Sequence, residues 1–115
     1  MSIAARYEGT NHCLCNERTE HLWVSIDAKI EDEKLTVSGQ DLGEPCKRFW
    51  GSDEYEYWYT FDEENTEKLL FLLSKEGTDP VEQLQKRFNG TTACRSLRTF
   101  CEAEGIAFQF SNWIP

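Results

Sequence analysis

His21 to Ile30 alternates strictly, with Leu22, Val24, Ile26, Ala28 and Ile30 on one side and Trp23, Ser25, Asp27 and Lys29 on the other, the period of a half-buried strand. Glu31-Asp32-Glu33-Lys34 supplies turn chemistry, and Leu35-Thr36-Val37 resumes the alternation, so an antiparallel hairpin is predicted. Gly39 and Gly43 are expected to end that second strand in a loop reaching about Ser52. A further strand then places Tyr55, Tyr57, Tyr59 and Phe61 on one face and Glu54, Glu56, Trp58 and Thr60 on the other.

Beyond Phe61 the period changes to that of helices. Asp62 is placed to cap a helix with Glu63, Glu64 and Glu67 near its positive end and Leu69, Leu70, Leu72 and Leu73 as apolar payload. Asp79-Pro80-Val81-Glu82 is a second helix start, with Val81, Leu84 and Phe88 at helical spacing and Asn89-Gly90 as its end. A third helix follows Thr91 or Thr92, striped by Cys94, Leu97, Phe100 and Cys101 and stopped at Gly105. Ile106, Phe108 and Phe110 alternate as a last strand, which could enter the sheet beside an early one, while Ile3–Tyr7 and Cys13–Cys15 are candidate edge strands. The expected fold is α+β: an antiparallel or mixed sheet of four to five strands with three helices packed on one face, forming one domain over residues 1–115.

Charge narrows the function more than length does. The chain carries 21 acids against 12 bases, a net charge of -9, which disfavours nucleic acid and anionic membranes as partners. It suits a basic protein, because complementary fields speed encounter and choose partners; the plainer role of net negative charge is solubility. No run of apolar residues is long enough to span a bilayer, and Met-Ser-Ile-Ala-Ala-Arg-Tyr lacks the layout of a secretory signal, so a cytoplasmic location is expected. The five cysteines, an odd number without an export signal, are then expected as free thiols.

Two constellations carry candidate chemistry. His12, Cys13, Cys15 and His21 put four zinc-capable side chains close together, although Cys-x-Cys on a strand is not the usual knuckle spacing and no second pair completes the set. Gly51 to Asn65 holds six acids (Asp53, Glu54, Glu56, Asp62, Glu63 and Glu64) and no Lys or Arg. Its carboxylates stand beside Trp58 and follow Trp50, a composition of aromatic anchor and acidic surround that fits a basic protein. Glu54 and Glu56 are too near one another to flank a sugar as paired catalytic acids, and Gly39-Gln40-Asp41-Leu42-Gly43 lacks the Lys of a phosphate loop and reads as a turn.

Gly39 to Gly43, Phe49-Trp50-Gly51-Ser52-Asp53-Glu54-Tyr55-Glu56-Tyr57-Trp58 and the ending Phe100 to Ser111 resemble small acidic bacterial α+β domains without an assigned activity, over about Trp23 to Trp113. In size, acidity and layout the chain also resembles immunity proteins of bacterial toxin systems, which neutralise a basic toxin by binding it. That resemblance implies a non-enzymatic inhibitor without cofactor; the acidic aromatic strand and its neighbouring loop, read from the residues themselves, are expected to present Asp53, Glu54, Glu56, Trp58 and Trp50 to the partner. The alternatives are a metal- or thiol-dependent module built on His12, Cys13, Cys15 and His21, or a structural or regulatory subunit. The chain is expected as a monomer or homodimer, the leucines between Thr66 and Leu73 being one candidate dimer face.

Overall fold

The computed structural model describes residues 2–77 and 79–115. Its five strands are β1 (Asn11–Arg18), β2 (Leu22–Glu31), β3 (Lys34–Gly43), β4 (Glu54–Thr60) and β5 (Gln109–Trp113). They form one antiparallel sheet in the order β1-β2-β3-β4-β5. Helices α1 (Glu44–Trp50), α2 (Glu63–Ser74), α3 (Pro80–Arg87) and α4 (Ala93–Glu104) complete an α+β fold.

The apolar halves of the alternating strands all point one way. Val24, Ile26, Ala28 and Ile30 of β2, Leu35 and Val37 of β3, and Tyr57 and Tyr59 of β4 are buried beneath Leu69, Leu70 and Leu73 of α2, Val81 and Leu84 of α3, and Leu97 and Cys101 of α4. Burial of this apolar area is the main stabilising term. Period two then sends the other residues of each strand, Trp23, Ser25, Asp27, Lys29, Thr36, Ser38, Gln40, Glu54, Glu56, Trp58 and Thr60, to the face the helices leave open.

Polar groups lock these layers together. Asp62 Oδ1 accepts from Asn65 N at 2.8 Å, and Asp79 Oδ1 accepts from Val81 N at 3.0 Å and Glu82 N at 3.2 Å, so both predicted caps form. Thr66, fully buried, accepts from Leu35 N at 2.9 Å and ties α2 to the sheet. The β2–β3 turn uses Asp32 and Glu33 at φ of 52° and 61°, and Glu8 accepts from both of their N–H groups. Two mirror-handed residues match the twist of a tight hairpin, and the Glu8 carboxylate offsets their backbone cost.

Four features depart from the sequence expectation. Residues Gly39 to Gly43 are strand, not turn: a Cβ on Gly39 would stand 2.1 Å from Tyr57 Cε2, so this glycine exists to let a ring lie flat on the backbone. The segment after it contains α1, started by Glu44-Pro45 and ended by Gly51 in the left-handed conformation (φ 79°), a fourth helix of only seven residues, of which Cys46 alone is buried. Ile3–Tyr7 contributes a 3-10 turn (Ala4–Tyr7) rather than an edge strand. Finally, β5 lies at the far edge beside β4 and not beside an early strand.

Candidate functional site

Pairing aligns the open-face residues in rows. Gln40 lies across from Glu56, and Glu56 from Trp113; one row over, Asp27 faces Ser38, Ser38 faces Trp58 and Trp58 faces Ser111. The Gln40 amide Nε2 donates to Glu54 Oε1 at 2.7 Å and to Glu56 Oε1 at 3.2 Å, bringing two carboxylates of one strand onto one donor. No Lys or Arg joins them: the ion pairs among the described residues are Lys29–Glu31, Lys86–Glu82, Arg87–Glu76 and His21–Glu20. Two like charges held by one neutral amide leave a local negative potential that a cation of another molecule would relieve.

Trp58, on β4, is half-buried on this face between Ser38 and Ser111 of the neighbouring strands. Shallow grooves of about 410 and 210 Å³ run on either side of it, both lined by Asp27, Ser38 and Trp58, the larger also by Lys29, Lys34 and Thr36, and the smaller also by Gln40 and Glu56. Trp113, 51% exposed, flanks Glu56. Trp23 belongs to the same face but is already engaged, with the Arg18 guanidinium 5.3 Å from its ring centre and its Nε1 donating to Asn16 Oδ1 at 2.7 Å. The face is thus acidic and aromatic at its β4 side and mixed in charge toward the β2–β3 turn, where Lys29, Glu31 and Lys34 meet.

The structure divides the predicted set. Glu54, Glu56 and Trp58 share the open face. Trp50, at the end of α1, stacks on Tyr55 with ring centres 4.5 Å apart and planes at 14°, and Tyr55 points to the opposite side of β4 from Glu54 and Glu56. Asp53 is exposed in the turn before β4, where its carbonyl accepts from Gly43 N at 2.8 Å. Asp27, Ser38, Gln40 and Trp113 join the patch through pairing register. Of these, only Asp27 is marked by the sequence as an outward strand position, and register across a sheet is not encoded in any one strand.

His12, Cys13, Cys15 and His21 are dispersed by a β-bulge. Cys13 pairs with Asp27 and Cys15 with Ile26, so Leu14 is the extra residue and the two thiols fall on opposite faces of the sheet. Cys13 is exposed; Cys15 is buried, its thiol pushed up to about 11 by burial and by the neighbouring Glu17 carboxylate. His12 packs edge-on to Tyr7, and His21 is exposed in the β1–β2 turn. Among the described residues no group of three His, Cys, Asp or Glu side chains is arranged to hold a metal ion. Cys94 and Cys101 are buried and their thiols are pushed up to about 12, chiefly by burial, so they remain protonated core residues.

On the helix-covered side, Tyr57 OH donates to Asp41 Oδ1 at 3.0 Å. Burial raises the Asp41 pKa, opposed by that hydrogen bond, and burial with the Asp41 charge raises that of Tyr57. Because folding raises the Asp41 pKa, its contribution to stability is fully present below the unfolded carboxyl's range and is lost as pH rises through the folded value. Asp41→Asn keeps an oxygen for the Tyr57 hydroxyl without the charge. Its Tm at neutral pH is therefore expected to exceed that of the wild type, with the two converging as pH falls; parallel melting curves across pH, or a less stable variant at pH 7, would refute this.

Comparison of the chain with protein-family models, with curated proteins and with solved structures finds no match. Among the described residues no helix is long and apolar enough to cross a membrane.

Proposed function

We propose that this protein works by binding, without catalysis, a basic protein partner through the open face of its sheet, in the manner of an immunity protein or inhibitor. The observation that carries the reading is the pair Glu54 and Glu56, tied to one Gln40 amide and, among the described residues, to no cation, beside the half-buried ring of Trp58. Fixed carboxylates lose little entropy on meeting an Arg or Lys, and a flanking indole adds apolar area and a face for the cation. Acid at the β4 side and aromatic rings in one patch match the division of labour at such interfaces, in which charge steers and rings anchor. The net charge of -9 and the likeness in size and layout to immunity proteins favour the same class.

The shallow grooves suit a protruding side chain more than an enclosed small substrate, and the thiols other than Cys13 are buried. The reading is tested by affinity capture from the native cell with the wild type and with Glu54→Lys/Glu56→Lys. A basic protein retained by the first and lost by the second is the expected result. A neutral or acidic partner, or one retained equally by both, would refute it.

A further inference from the structure

The two edges of the sheet are treated differently. At β1 the strand is bulged at Leu14 and carries Glu17 and Arg18, and the polypeptide around α3 covers its backbone: Gly90 N donates to Leu14 O at 3.0 Å and Gln85 Nε2 to Cys13 O at 3.1 Å. Bulges, charges and covering elements are the devices by which proteins stop edge strands from pairing with other chains. Among the described residues β5 has no bulge, and the Arg98 guanidinium of α4 packs 5.4 Å from the centre of its Phe110 ring. The strand pairs with β4 in unbroken register from Gln109 to Trp113, and from Gly105 to Pro115 no side chain carries a charge. Every residue of β5 is exposed, with Phe110 at 42% and Trp113 at 51%, and Ile114 follows at 40%.

We infer that β5 is a self-association edge, where two copies of this chain pair antiparallel about a two-fold axis and extend their sheets into one. The occupant follows from charge. Each copy carries -9, so two copies repel wherever their acids meet, and β5 brings no acid to the contact. A basic partner's strand would have nothing on β5 to select it, whereas an antiparallel strand is complementary to itself under a two-fold rotation. Symmetry about Ser111 sets Gln109 against the second copy's Trp113, Phe110 against its Asn112 and Ser111 against its own equivalent. No like charges are opposed in that register, and an indole and a phenyl ring are covered on each side. The strand is short, so the dimer belongs to the weak, concentration-dependent class rather than the obligate one.

In the joined sheet Trp113 of each copy separates its own Glu56 from the junction. Trp113 belongs to both surfaces, but the inference is drawn from the backbone edge of β5 and the proposed partner from Glu54, Glu56 and Trp58, so either stands if the other falls.

Sedimentation equilibrium of the full chain at high micromolar concentration tests it. The wild type is expected to approach dimer mass, and Ser111→Lys, which sets like charges opposite each other at the axis, to sediment as monomer with the wild-type Tm. A second variant does not depend on how the lysine is tolerated. Paired Cα atoms across an antiparallel junction lie about 4.5–5.5 Å apart, within disulfide reach. In a Cys13→Ser background, Ser111→Cys should therefore form a disulfide dimer on mild oxidation, while Glu102→Cys, exposed on α4, should not. A wild type that stays monomeric, a dimer that survives Ser111→Lys, or cross-linking at position 111 no faster than at 102 would overturn the assignment.

Discussion

Replacing Gly39 by valine is expected to destabilise the fold by about 3 kcal/mol or more, because overpacking a filled core costs typically 1–3 kcal/mol and this site is more constrained than most. Valine has the better strand propensity, so a scale of propensities predicts the opposite sign. Geometry decides. Gly39 is buried in the middle of β3, its backbone needs no left-handed angle, and the Tyr57 ring occupies the place a side chain would take: an added Cβ would stand 2.1 Å from Cε2 and 2.2 Å from Cζ. The ring has little room to retreat, since its hydroxyl is bonded to Asp41 and its other side meets Tyr55, with ring centres 5.4 Å apart. A fall in Tm on the order of 10 °C follows for a chain of this size. Unchanged thermal melting of Gly39→Val would show that Tyr57 does not lie where this packing puts it.

That ring matters to the outer surface as well. Tyr57 inward requires Glu56 and Trp58 outward, because a strand cannot turn one residue without turning its neighbours. A slip at Gly39 would carry the acidic patch under the helices, so the fold of the inner face is the condition for the site on the outer one.

The second large effect is on binding. Glu54→Lys with Glu56→Lys is expected to weaken the complex with the basic partner by at least about a hundredfold, near 3 kcal/mol, since close charge pairs at protein interfaces couple by about 1.5–7 kcal/mol and reversal adds repulsion. Both carboxylates are only partly buried, so added salt should erode the wild-type affinity, and should erode that of the double variant less, because its local repulsion is screened as well. Trp58→Ala should cost about 2 kcal/mol through lost contact area, with little salt dependence. Calorimetric titration at two ionic strengths separates the two contributions. Equal losses for charge reversal at Glu63 and Glu64, on α2, would mean that overall charge and not this patch governs binding.

Much of this arrangement is legible in the order of residues alone. Alternation marks β2 and β4 and assigns Tyr57 and Tyr59 to the core and Glu54, Glu56 and Trp58 to the other side, while Asp62 and Asp79 announce α2 and α3. Single glycines are ambiguous: Gly39 has the same letter whether it turns the chain or makes room, and the ring that requires it belongs to Tyr57 on the next strand. The bulge at Leu14 is hidden for a like reason, since Cys13 and Cys15 alternate normally until β1 is paired with β2. Gln40, which holds the two carboxylates together, is invisible as a site residue because its partners are on another strand. Long-range pairing, not local propensity, assembles the patch.

Carboxyl footprinting of the complex with glycine ethyl ester is the most direct test of where the partner sits. Labelling of Glu54 and Glu56 should fall on binding, and that of Glu63, Glu64 and Glu102, on the helical side, should not change. Protection of the helical carboxylates with Glu54 and Glu56 still fully labelled would contradict the assignment of the open sheet face as the binding surface.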